Sequence, residues 1–161
     1  MSSNPYFFNQ IKGWSLFLND QLAKFPELIS SHLNSSFLAG KFPNGYLSSM
    51  LQNELKGVED IDDLMCRLRK FRNRLMTRII WRDLTQQADL DETLSALSEL
   101  ADACIAQALD HLMAWAVAKD GMPRDEEGNE QHLVVLGMGK LGARELNLSS
   151  DIDLIFCFPD H

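Results

Sequence analysis

Apolar residues recur at three- and four-residue spacing through Ile61, Leu64, Met65, Leu68, Phe71, Leu75 and Ile79. That stripe predicts one helix from Asp60 to about Leu84. Asp62 and Asp63 fall in its first turn, where carboxylates favour the positive end of the helix dipole. A second stripe, Leu97, Ala101, Cys104, Ala108, Leu112 and Trp115, predicts another long helix. Asp89 serves as its N-cap, Glu92 completes a capping box, and it stops near Lys119, before Gly121 and Pro123. From Asn9 to about Leu55, short amphipathic stretches alternate with breakers at Pro26, Gly40, Pro43, Asn44 and Gly45, which predicts two or three modest helices. The polar, turn-rich DGMPRDEEGNEQ then marks the main boundary. Beyond it the period changes. His132–Leu136 and Asp151–Phe158 read as short buried strands, with two turns of helix in KLGARELN between them. The expected fold is predominantly helical α+β, with a helical module over residues 1–120 and the first strands of a sheet over 121–161.

Within the apolar stripe, position 72 carries an arginine. A guanidinium there must find a carboxylate or line a polar pocket, so Arg72 is expected to pair with an acid or to support the second segment. Arg67, Lys70, Arg74 and Arg78 run beside the stripe and read as a solvated flank with ion pairs. Trp14, Trp81 and Trp115 read as core anchors.

Composition narrows the class without naming it. The 161 residues are 45% hydrophobic and 24% charged, the profile of a globular chain. A net charge of -8 argues against binding nucleic acid by bulk phosphate neutralisation. Cys66, Cys104 and Cys157 are odd in number and lack CxxC spacing, so neither a disulfide framework nor a zinc site is expected; they read as reduced core residues of a cytoplasmic protein. The N-terminus lacks a signal-peptide pattern, and no apolar run is long enough to span a bilayer. The four histidines share no ligand spacing.

The chemistry concentrates in HLVVLGMGKLGARELNLSSDIDLIFCFPDH. Gly137, Gly139 and Gly142 fit a GxGxxG dinucleotide fingerprint, but that fold needs a full crossover helix and an acid about 20 residues later at the far end of the next strand. Here Asp151 and Asp153 come sooner and head the strand. Two apart in extended chain, they share a face. Separated by ~6 Å at an effective dielectric near 20, they repel by roughly 3 kcal/mol, which a divalent cation reverses. Oxygen-only ligands beside a phosphate site favour Mg²⁺ or Mn²⁺. The glycines let backbone N–H groups approach phosphate oxygens, the helix start offers an anion site, and Lys140 adds a point charge. Ser149 and Ser150 shape the turn that delivers the aspartates, with Ser150 also placed for phosphate.

The pattern of glycine turn, short gap, then acid–apolar–acid resembles the nucleotidyltransferase superfamily related to DNA polymerase β. The wording GMGKLGARELNLSSDIDLIF, together with LMCRLRKFRNRLMTRIIW upstream, is similar to the bacterial glutamine synthetase adenylyltransferase and adenylyl-removing family. The likeness covers about Asp60 to His161 well and the first 50 residues poorly. It implies a nucleotidyltransferase-type mixed sheet, incomplete here, with Asp151 and Asp153 as metal-binding catalytic residues and Gly137, Gly139, Lys140, Gly142, Ser149 and Ser150 around nucleotide and phosphate. The family's third carboxylate comes from a later strand, so little activity is expected of these 161 residues alone. The implied partners are glutamine synthetase, the PII signalling protein, ADP or ATP, and phosphate. The implied reaction, for the first of the family's two catalytic domains, is phosphorolytic removal of AMP from a tyrosine of glutamine synthetase. Transfer of AMP in the adding direction, and a non-catalytic helical interaction module, are the alternatives.

Overall fold

The computed structural model describes residues 13–24 and 35–158; the predicted helix content of residues 1–12 and 25–34 lies outside them. Helix α1 (Leu16–Lys24) buries Leu18, Gln21 and Leu22 on one face. A single turn, α2 (Ser35–Leu38), and helix α3 (Tyr46–Glu54) follow, α3 burying Leu47 and Leu51 one turn apart. Two long helices dominate, α4 (Ile61–Leu84) and α5 (Leu90–Asp120). Each starts on an aspartate whose carboxylate accepts a backbone N–H, Asp60 from Asp63 and Asp89 from Glu92, both at 2.8 Å. The Asp89 half of the predicted capping box is present. The other half is not, because the Glu92 carboxylate turns to Arg82 instead.

The core forms where α1, α3, α4 and α5 meet. Leu18, Leu51, Phe71 and Leu75 are fully buried there, and each leucine of that kind contributes about 1.5–3 kcal/mol relative to exposure. At 31 residues α5 is about 46 Å long and outruns its partners. Its fully buried positions end at Gln107, and Leu112 is exposed. No helix of the described residues is long and apolar enough to cross a membrane.

The buried face of α4 differs from the predicted stripe. Ile61 and Met65 are exposed, whereas Arg78 and Arg82, 3% and 4% exposed, lie inside. Their partners are distant carbonyls. Arg78 donates to Phe37 O at 2.7 Å and Gly40 O at 2.6 Å, and its guanidinium lies 3.7 Å from the centre of the Phe42 ring. Arg82 donates to Leu38 O at 2.5 Å and Gln87 O at 2.8 Å and pairs with Glu92 at 2.8 Å. The expected solvated flank is therefore corrected at Arg78, which is buried and clasps the 37–40 segment, whereas Arg74 makes an ion pair of the kind expected there, with Glu54. Burial, aided by the neighbouring Arg82 charge, lowers the Arg78 pKa to about 10. Among the tryptophans, Trp81 and Trp115 pack against the core, but Trp14 is 54% exposed. The cysteines are free, and Cys66 is exposed rather than internal.

Strands β1 (Val134–Gly137) and β2 (Leu154–Cys157) pair antiparallel, with Val134 opposite Cys157 and Gly137 opposite Leu154. Both are shorter than expected and far less buried; Val134, Leu136, Ile155 and Phe156 are exposed. Between them lies a one-turn helix, α6 (Gly139–Gly142), half the predicted length, because Arg144 turns left-handed at φ 60° and ends it.

Candidate active site

The chain leaves β1 through three glycines, each present for its own reason. A methyl carbon on Gly137 would lie 3.0 Å from Leu141 Cδ2 and Cγ. Gly139 sits at φ +55°, where side chains are strained though space is open. Gly142 packs so closely on the preceding turn that a methyl carbon there would lie 2.5 Å from Gly137 O. The turn therefore folds back on the strand that produced it. Leu141 seals it from beneath at 5% exposure, and its first N–H groups have no acceptor within the helix, as at any helix start. A single turn supports little dipole, so those N–H groups, rather than the helix field, are what the turn offers an anion.

Helix α5 anchors the loop that follows. Ser98 Oγ accepts the Leu146 N–H at 3.3 Å while donating to Leu94 O at 2.9 Å, and Leu146 is buried in the same core as the helices. Nearer the surface, Arg144 pairs with Asp102 at 2.9 Å. These anchors were not anticipated. Their one signal in the sequence is a serine, Ser98, beside Leu97 on an apolar helix face.

Asp151 and Asp153 emerge from this loop just ahead of β2, not within it as predicted. The ladder begins only where β1 can pair, at Leu154, and a further bond from Met138 N–H to Asp153 O at 2.9 Å carries it one step on. That bond fastens the glycine turn to the acid pair. Both carboxylates are exposed and free of ion pairs among the described residues. Ser150 Oγ donates to Asn147 Oδ1 at 2.5 Å, and Ser150 N–H donates to Asn147 O at 3.3 Å, so this serine shapes the turn as expected. Lys140 and Ser149 stand exposed nearby.

The expectation that Arg72 pairs with a carboxylate is not met. The side chain is exposed, its only described polar contact is to Asn73 Oδ1 at 3.3 Å, and no carboxylate pairs with it. The buried core face of α4 passes through Phe71 and Leu75 instead, which leaves residue 72 at its margin. There it lines a cavity of about 290 Å³ together with Ser150 and Asp151. Among the described residues no group of three or more His, Cys, Asp or Glu side chains converges.

Fold and site define a predominantly helical α+β chain in which a two-stranded ladder carries a glycine turn and an acid pair at one end. A family model described as glutamate-ammonia ligase adenylyltransferase matches residues 7–161, and the chain belongs to that family. Among its relatives, it is 44% identical to a bifunctional glutamine synthetase adenylyltransferase/adenylyl-removing enzyme of Shewanella loihica over 94% of this chain and 16% of that protein. It is 46% identical to the protein of the same name in Nitrosococcus oceani over 92% and 15%. The corresponding Pseudomonas aeruginosa protein is 45% identical over 95% and 16%. The chain thus spans about a sixth of the length of the curated relatives it matches.

Proposed function

We propose that these residues form the entry to a Mg²⁺-dependent deadenylylating site, which in the full-length protein removes AMP from an adenylylated tyrosine of glutamine synthetase by phosphorolysis. The bond from Met138 N–H to Asp153 O carries the reading, because it holds the glycine turn against two free carboxylates. Two exposed carboxylates beside a phosphate turn offer oxygen donors only, which together with water and substrate phosphate oxygens suit a hard cation such as Mg²⁺. Asp151 and Asp153 would hold that ion, and it would supply charge neutralisation at the phosphoryl group. The N–H groups of the 139–141 turn and Lys140 face the anionic substrate, with Ser149 and Ser150 shaping the approach. A phosphate oxygen attacks the AMP phosphorus, the bond to the tyrosyl oxygen breaks, that oxygen takes a proton, and ADP departs. Control by PII and a cytoplasmic location belong to the same proposal.

The test uses the full-length protein with adenylylated glutamine synthetase, phosphate and Mg²⁺. ADP release that falls at least 100-fold in Asp153→Asn supports the reading. AMP incorporation from ATP, lost in the same variant while ADP release is untouched, would assign this site to the adding direction instead.

A further inference from the structure

The 290 Å³ cavity beside the acid pair has a graded lining. Its buried wall is apolar, made by Met76, Leu97, Leu100 and Leu146, and its exposed margin carries Arg72, Asn147 and Asp151. An apolar interior with a few polar groups at the mouth is the usual construction of a small-molecule site, and this volume lies at the small end of the range. It suits one ring system rather than a whole nucleotide. Asn147 Oδ1 accepts from the Ser150 hydroxyl, and the Asn147 amide N–H groups have no partner among the described residues. Arg72 likewise keeps donors beyond its single contact to Asn73. Asp151 lines the same space, so whatever fills it lies against one carboxylate of the acid pair.

We propose that this cavity is the base pocket of the site, receiving the adenine ring of the adenylyl group, with Asn147 at the ring edge and Arg72 towards the phosphate. The proposal rests on the deadenylylating reading for the identity of the group, and on the cavity for its position. Adenine is preferred to the tyrosyl ring of the protein substrate because an asparagine amide matches the donor–acceptor edge of adenine, as it does in nucleic-acid recognition, whereas a phenol ring presents no such edge.

Cys104 lines the cavity and Cys66 is exposed elsewhere on α4, so one thiol reports occupancy and the other serves as its control. The probe is adenosine, which has neither phosphate nor need of metal. In the 161-residue chain at about nine times its Kd, adenosine should slow modification of Cys104 by a maleimide about tenfold and leave Cys66 unchanged. Saturation-transfer NMR should show the adenine protons in contact with the protein. Ala101→Phe, which fills the cavity, should abolish both signals with the melting curve retained; Arg72→Ala should spare adenosine and weaken AMP. Absence of both signals in the folded chain would overturn the proposal. So would protection by N-acetyltyrosinamide but not by adenosine. Because adenosine binding needs neither Asp151 nor Mg²⁺, a failed pocket is distinguishable from a failed deadenylylating reading, which the ADP-release assay tests separately.

Discussion

Replacing Gly142 by alanine tests whether the glycine turn is built as described. Nothing about the backbone of residue 142 itself forbids a side chain, since its φ is not in the left-handed region. The obstacle is the neighbour. The new methyl carbon would lie 2.5 Å from Gly137 O and 3.4 Å from its carbonyl carbon. An ordinary C···O contact is about 3.3 Å, so the turn must open by roughly 0.8 Å. Overpacking of this kind costs about 1–3 kcal/mol, towards the upper end here because the obstacle is backbone pinned by the Met138–Asp153 bond and the β1–β2 ladder. Lower unfolded-chain entropy offsets about 0.5–1 kcal/mol, for a net loss of about 2 kcal/mol. For a chain of this size, that lowers Tm by roughly 4–8 °C. Gly139→Ala is the companion, because it meets open space and suffers only the strain of φ +55°, about 1 kcal/mol, which Gly139→Asn should largely relieve. Thermal melts and urea titrations of all three variants give the energies, and amide spectra over residues 134–157 locate the disturbance. If Gly142→Ala melts with the parent, or Gly139→Ala is the worse of the two, the close approach inferred at Gly142 is wrong.

Four further outcomes follow from the same structure. Arg82→Met should lose about 3–5 kcal/mol by stranding Glu92, while the double variant with Glu92→Leu recovers part of that; equal urea midpoints for single and double variants would refute the coupling. Burial raises the Cys104 thiol to about 11, so at pH 8 it should alkylate far more slowly than Cys66 and gain rate as pH rises towards 11; equal rates by mass spectrometry at pH 8 would count against this. The Arg67 hydrogen bond holds Asp63 below its ordinary 3.8, so its stabilisation is complete above that value and is lost as pH falls through the lower folded one. Asp63→Asn should therefore flatten the acid limb of the stability curve, by a small amount because the pair is solvent-screened. Phe156, 60% exposed on β2, should promote self-association, and Phe156→Lys should reduce it in sedimentation velocity; a parent chain already monomeric at high concentration would refute the idea.

The long helices were legible because their signals are local. Asp60 and Asp89 cap them from one residue upstream, and the spacing of Leu64, Phe71 and Leu75 marks the inner face of α4. Arg78 and Arg82 escaped the same reasoning because periodicity treats arginine as a surface residue. Only the carbonyls of Phe37, Leu38 and Gly40, brought in from about 40 positions upstream, make those two positions interior. The strands erred in the opposite direction. VVLG and LIFC have the composition of buried strands, yet with one ladder between them their faces stay largely open. At the site, the glycines and aspartates announced themselves by type and spacing. The cavity did not, because Arg72 and Asp151 come from separate elements and meet only once α4, α5 and the 146–152 loop are packed.

That packing bears on how the acid pair is held. Two four-residue strands do not persist alone in water. Here the segment that carries Asp151 and Asp153 is tied to α5 at Ser98 and Asp102, through Leu146 and Arg144, and Leu141 and Leu146 share the core of the helices. Ser98 illustrates the dependence. Its hydroxyl is both acceptor to the loop and donor to its own helix, so Ser98→Ala would leave the buried Leu146 N–H without a partner, at about 1–3 kcal/mol. The loop can recover that bond only by lifting towards water, and lifting it draws Asn147, Ser150 and Asp151 with it. The boundary near residue 121 therefore separates two kinds of secondary structure without separating two mechanical parts. The position of the carboxylates is thus set by a helix, α5, that carries neither of them.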